Sequence, residues 1–172
     1  VSNIHIYSTT GANGIHFKNI NNFYVDHVSI SGENFPHTAT GFSNGGMMFE
    51  QSPSGSDFIG IAWITHNIVR YVSGRGMQFT GGGNLNGFQV AGNNIQGNSL
   101  GGLVMDSGPA MGWEVSGNII EGNGGHQVDL LFPRGWDFHG NYLEPPPVNF
   151  SSLIRIQRGT ALGFHHNLMV GT

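Results

Sequence analysis

The 172-residue chain is 38 % apolar and only 9 % charged, and it carries 29 glycines, a net charge of −4 and no cysteine. That profile excludes a bundle of amphipathic helices, which needs charged outer faces and few glycines, and an 11 % share of aromatic residues excludes a disordered tail. Few Lys and Arg leave no electrostatic footprint for nucleic acid, no apolar run is long enough to span a membrane, and disulfides are impossible.

In chain order, GIHFK at 14–18 is the earliest of the segments predicted to form the strand between the repeating units, and it is followed by YVDHVSIS at 24–31. ENFPHTATGFSNGG (33–46) and QSPSGSDFIG (51–60) are rich in Gly, Pro, Ser and Thr and are predicted to be loops, with the strand GMMFE (46–50) between them. From Asn67 onward a repeat of about 25 residues takes over, with asparagines at Asn67, Asn93, Asn118, Asn141 and Asn167. Val90, Val115, Phe138 and Phe164 stand three before the marker, and Phe88, Trp113, Trp136 and Leu162 five before. This period-2 pattern marks a strand with one buried face. Ile95, Ile120, Leu143 and Met169, two after the marker, open a further strand. Between these units lie GMQFT (76–80), GLVMD (102–106), QVDLL (127–131) and LIRIQ (153–157), while EPPPVNFSS (144–152) is predicted to be a turn.

One strand pair of this kind cannot bury its apolar face, but stacked coils share a continuous core. The expected fold is therefore all-β: a single domain over 1–172 forming a parallel β-solenoid (β-helix) of about six coils, each with three short strands. Asn is expected at the sharp bend between the second and third strands, because it tolerates left-handed backbone and its amide can bond to its equivalents one coil away. The pattern begins and ends without a cap, so the chain is expected to be a segment of a longer protein or to have its ends covered by partner subunits.

Alternation turns two columns of the first strand outward: His16, Met48, Gln78, Val104, Asp129 and Arg155, and Lys18, Glu50, Thr80, Asp106, Leu131 and Gln157. Asp106 and Asp129 are expected roughly 8 Å apart as diagonal neighbours, and Glu50 and Asp106 roughly 9.6 Å apart, two coils along one column. Carboxyls about 6.5–9.5 Å apart leave room for a water between acid and base, as inverting glycosidases require. Glu50, Asp106, Asp129 and Arg155 are therefore the candidate catalytic residues, and His16, Lys18, Gln78 and Gln157 the candidate substrate-binding ones. No metal-ligand set is assigned. On the second strand, Glu114 and Asp137 are expected as like-charged neighbours, with His139 and His165 stacked beside Asp137 as the nearest approach to a metal-binding group. Ile68, Ile119, Tyr142 and Leu168, which follow the ladder asparagines, either form an apolar outer column of the kind an oligomeric shaft would bury or turn inward around the bend.

With its asparagine ladder, strand pattern and YVDHVSIS segment, the chain resembles the right-handed parallel β-helix superfamily typified by pectate lyases, polygalacturonases and phage tailspikes. The resemblance implies a polysaccharide, acidic in many members, bound on the first sheet and acted on by a lyase or glycoside hydrolase. It implies a calcium ion as possible cofactor, with Asp106, Asp129 and Arg155 as the residues able to play ligand and proton-acceptor parts. It also implies a secreted or virion-surface location, and for tailspike or adhesin relatives a non-catalytic shaft, often a homotrimer. The paired-aspartate, Gly-His-Gly and Arg-Ile-Lys motifs of polygalacturonases are missing, and IRIQ at 154–157 is only similar to the last.

Overall fold

A computed structural model describes residues 1–34, 38–52, 58–106, 108–146 and 150–171. Every regular element among them is a strand, and the strands of successive repeats pair in parallel. The first sheet stacks Asn13–Lys18, Gly45–Gln51, Arg75–Gly81, Gly101–Met105, Gly125–Leu131 and Phe150–Gln157. The second sheet runs from Phe23–Ser31 through Ala62–Thr65, Phe88–Ala91, Glu114–Ser116 and Asp137–His139 to Gly163–His165. The third holds Ile68–Arg70, Asn94–Gln96, Ile119–Glu121, Tyr142–Glu144 and Leu168–Met169. Phe23–Ser31 pairs into both, so these two sheets join into one bent surface, which Ser2–Tyr7 extends outward. The molecule is thus a parallel β-solenoid of about six turns. No helix among the described residues is long and apolar enough to cross a membrane.

The buried asparagines form the expected ladder. Asn67 Nδ2 donates to Asn93 Oδ1, Asn93 to Asn118, Asn118 to Asn141 and Asn141 to Asn167, each at 2.9 Å. Each acceptor oxygen also takes the backbone N–H of the asparagine one coil earlier, at 2.9–3.0 Å. Val28 takes the marker's place in the earlier coil, its N–H donating to Asn67 Oδ1. The left-handed residue is one position earlier than expected. His27, His66, Gly92, Gly117, Gly140 and His166 have φ of 53–65°, and the ladder asparagines are outside that region. The reason is directional: the amide must point into the stack to reach its neighbours, so the reversal falls on the residue before it, which points outward.

The inward columns are as expected, with Met47, Phe49, Met77, Phe79, Leu103, Met105, Val128 and Leu130 buried. Phe17, Phe49 and Phe79 stack at 5.1 and 4.7 Å between ring centres, and Phe88, Trp113 and Trp136 at 4.4 and 4.3 Å. Each indole N–H donates to a carbonyl one coil back, Trp113 to Leu85 and Trp136 to Ala110, so the rings are buried without an orphaned donor. Ile154 and Ile156 keep the inward register of Val128 and Leu130 but lie in the last first-sheet strand, and Ile156 stays 39 % exposed.

Three local expectations change. Phe58–Ile59, Asn84–Asn86, Ala110–Met111 and Pro133–Arg134 form a fourth short sheet, so several coils carry four strands rather than three. Within the first predicted loop, Glu33–Asn34 pairs antiparallel with Thr38–Ala39; 35–37 and, in the second loop, 53–57 lie outside the described residues. The turn predicted at 144–152 gives way to strand at Phe150, with 147–149 outside the described residues.

Candidate functional site

Parallel pairing in register sets the first-sheet surface, because every outward residue has its equivalent directly above and below. Gln78 pairs with Met48 and Val104, Asp129 with Val104 and Arg155, and Glu50 with Lys18 and Thr80. Asp106 follows the strand end, its N–H donating to Phe79 O. Gln157 pairs with Leu131 and is exposed. The surface is less open than alternation suggests: Gln78 and Val104 are only 6 % and 3 % exposed.

Each of the three predicted carboxylates is matched by a cation. Glu50 meets His16 Nε2 and Lys18 Nζ, both at 2.8 Å. The Lys18 hydrogen bond, against a smaller burial effect, holds the Glu50 carboxyl below its ordinary range. Asp106 Oδ2 accepts from Arg75 Nη1 and Gln78 Nε2, both at 2.9 Å. Asp129 takes a two-pronged contact from Arg155, Nε at 2.8 Å and Nη2 at 2.5 Å, which pushes the guanidinium pKa up. Asp106 and Asp129, both spent on guanidinium groups, form a setting less suited to calcium than to a ligand with its own hydrogen-bonding groups.

Arg75 is the residue that sequence reasoning missed. It pairs with Gly45 and Gly101, whose lack of side chains leaves it room at the sheet corner. Regular alternation would turn it inward, but a Cβ at the following Gly76 would lie 2.4 Å from Ile95 Cγ2, so that glycine takes the inward place. The available signal was that RGMQF carries a cation where neighbouring coils carry glycine. Arg75, Gln78, Ser43, Asn44, Met48 and Leu100 line a cleft of ≈ 280 Å³ on this face. A somewhat larger one, ≈ 320 Å³, lies beside Ser2–Tyr7, lined by His5, Tyr7, Ser31, Glu33 and Arg70, away from every predicted site residue. A third of ≈ 250 Å³ contains Glu121 and Glu144, which pair across adjacent third-sheet strands. Burial, then Glu144, raises the Glu121 pKa, and Tyr142 Oη donates to Glu144 Oε2.

On the second sheet Glu114 and Asp137 are in register as expected. Histidines lie against both carboxylates: His139 Nε2 is 3.5 Å from Glu114 and 4.0 Å from Asp137, and His165 Nε2 is 2.8 Å from Asp137. The His139 and His165 rings stack at 5.0 Å. Near the other end of this sheet, Asp26 accepts from Thr65 Oγ1 at 2.7 Å and faces two histidines, with His27 Nδ1 at 2.6 Å and His66 Nδ1 at 3.1 Å. The His27 hydrogen bond, followed by that of Thr65, lowers the Asp26 pKa to about 2.

No family model, no curated protein and no solved structure matches this chain.

Proposed function

We propose that this solenoid binds a polysaccharide along the outer face of its first sheet, with the sugar chain crossing the Arg75 cleft. What supports the reading is the pairing of chemistries there. The Arg75 guanidinium, the Gln78 amide and Ser43 and Asn44 suit hydroxyl or carboxylate groups, while Met48 and the exposed Leu100 suit the C–H face of a sugar ring. A uronate would exchange its carboxylate for that of Asp106 on Arg75. The right-handed, pectate lyase-like affiliation and a secreted or virion-surface setting belong to the same proposal.

Binding is favoured over hydrolysis because a general acid needs a raised pKa, whereas Glu50 has a lowered one and Asp106 and Asp129 are held by guanidinium groups. Incubation with acidic and neutral polysaccharides, with and without calcium, tests this when binding is followed beside absorbance of unsaturated sugars and release of reducing ends. Binding without either product signal is expected. Both signals together would mean a lyase, reducing ends alone a hydrolase, and no binding to any glycan would remove the proposal.

A second reading, a shaft segment whose third sheet is covered by partner subunits, is favoured by the exposure of Ile68, Ile119 and Leu168 in one register column. Asn94 interrupts that column and Tyr142 is half-buried within it. Light scattering at increasing concentration tests it, with assembly expected to depend on Ile119.

A further inference from the structure

The corner before the ladder position is left-handed in six coils; glycine fills it in three and histidine in three, and of the histidines His27 and His66 stand in adjacent coils. Histidine pays a steric cost in this region that glycine avoids. The two rings stack at 5.2 Å, and both Nδ1 atoms are turned toward the two oxygens of Asp26. The three ligating atoms all lie within 4.8 Å of one another, the one such group of three among the described residues. We propose that Asp26, His27 and His66 bind a divalent transition-metal ion of the zinc class, joining two successive coils at their corner.

The donor set fits: two imidazole nitrogens and a carboxylate oxygen are ligands of Zn²⁺, and bonds of about 2.0–2.2 Å in a tetrahedral site keep ligand atoms roughly 3.3 Å apart. The present separations, 2.6 Å from His27 Nδ1 to Asp26 Oδ2 and 3.1 Å from His66 Nδ1 to Asp26 Oδ1, lie near that spacing, and no ligating atom is more than 4.8 Å from another. Thr65 Oγ1, bonded to Asp26 Oδ1, fixes the carboxylate from behind as outer-shell donors do in metal sites. Gly92 leaves space for the His66 ring: a Cβ there would stand 2.9 Å from His66 Cδ2 and 3.3 Å from Nε2. Asp26 is partly shielded and both histidines are exposed, so an ion can enter and keep a water in its fourth position. The group at the other end of this sheet is arranged differently, with His139 and His165 stacked alongside Asp137 and His165 turned to His166 Nδ1 at 3.0 Å.

The test is calorimetric titration of the tag-free protein with Zn²⁺, beside thermal unfolding with and without the ion. Wild type should take up one equivalent and unfold at a higher temperature in its presence. His27→Gly and His66→Gly place the glycine that neighbouring coils use, so both should fold, as circular dichroism without metal will verify. Each should weaken binding at least tenfold and abolish the Zn²⁺-dependent thermal shift, and Asp26→Asn should weaken it as well. The proposal is overturned by absence of saturable binding to wild type, by undiminished binding in the His27→Gly/His66→Gly double variant, or by binding that disappears only with His165→Ala.

Discussion

Gln127 Oε1 accepts both amide donors of Asn123, the backbone N–H at 3.1 Å and Nδ2 at 2.8 Å. This contact ends a second, shorter ladder, in which Asn98 Nδ2 donates to Asn123 Oδ1 at 2.8 Å and Asn98 in turn accepts from the Val72 N–H. By chain offset the next coil would have to supply an asparagine at Pro146, which has no amide side chain. Gln127, standing in register opposite Gly102 in the first sheet, reaches across and takes over.

Gln127→Ala leaves the buried Asn123 backbone N–H and one of the two Nδ2 hydrogens without an acceptor, the other still reaching Ile95 O, which should cost roughly 2–4 kcal/mol. Gln127→Gly should cost at least as much, although glycine is the residue of this column in earlier coils, because the acceptor rather than the backbone is what matters. Urea unfolding of the three proteins measures both.

Asn118→Ala removes the acceptor for the Asn93 backbone and side-chain N–H groups and the donor to Val90 O and Asn141 Oδ1. A loss of about 3–5 kcal/mol is expected for this buried centre of the ladder. Asn167→Ala, at a half-buried rung where water can replace the amide, should cost only about 1–2 kcal/mol. Equal losses would mean the ladder does not depend on burial.

Glu50 has its folded pKa held below 4.5 by Lys18 and His16. Its contribution to stability is therefore fully present above the unfolded value and lost as pH falls through the folded one. Glu50→Gln should lower the unfolding temperature at neutral pH, with the gap to wild type closing as the pH falls below 4.5. Thermal scans across that range check the direction.

Glu121 behaves in the opposite sense. Burial, aided by Glu144, raises its folded pKa above 4.5, so ionisation destabilises the fold as pH rises through that range. Glu121→Gln should stabilise the protein at pH above the raised value and change little below 4.5. The same thermal scans show it, and a destabilised variant at neutral pH would contradict the assignment.

The main ladder was legible because its asparagine recurs with aligned apolar residues on both sides, three and five before and two after. The second ladder was not: two asparagines make a short series, and its third amide comes from a first-sheet strand and a different residue type. The fourth sheet left no pattern either, since Phe58–Ile59, Asn84–Asn86, Ala110–Met111 and Pro133–Arg134 share neither composition nor alternation. On the candidate face, alternation placed His16, Glu50, Gln78, Asp129 and Arg155 in their observed columns and set Arg155 one coil from Asp129, close enough for the ion pair seen, but could not show which cations neutralise Glu50 and Asp106. It also concealed Arg75, because an inward glycine interrupts the alternation beside it. Periodicity reports which side of a strand a residue occupies, whereas ion pairing depends on how far long side chains reach along the stack.

Nuclear magnetic resonance titration of the labelled protein with an acidic oligosaccharide tests the binding face most directly. Saturable shifts are expected at Ser43, Asn44, Met48, Arg75, Gln78 and Leu100, with Arg75→Gln weakening affinity about tenfold or more. Shifts gathered instead around His5 and Arg70, or around Glu121 and Glu144, or an affinity indifferent to Arg75, would contradict the first-sheet face as the glycan-binding surface.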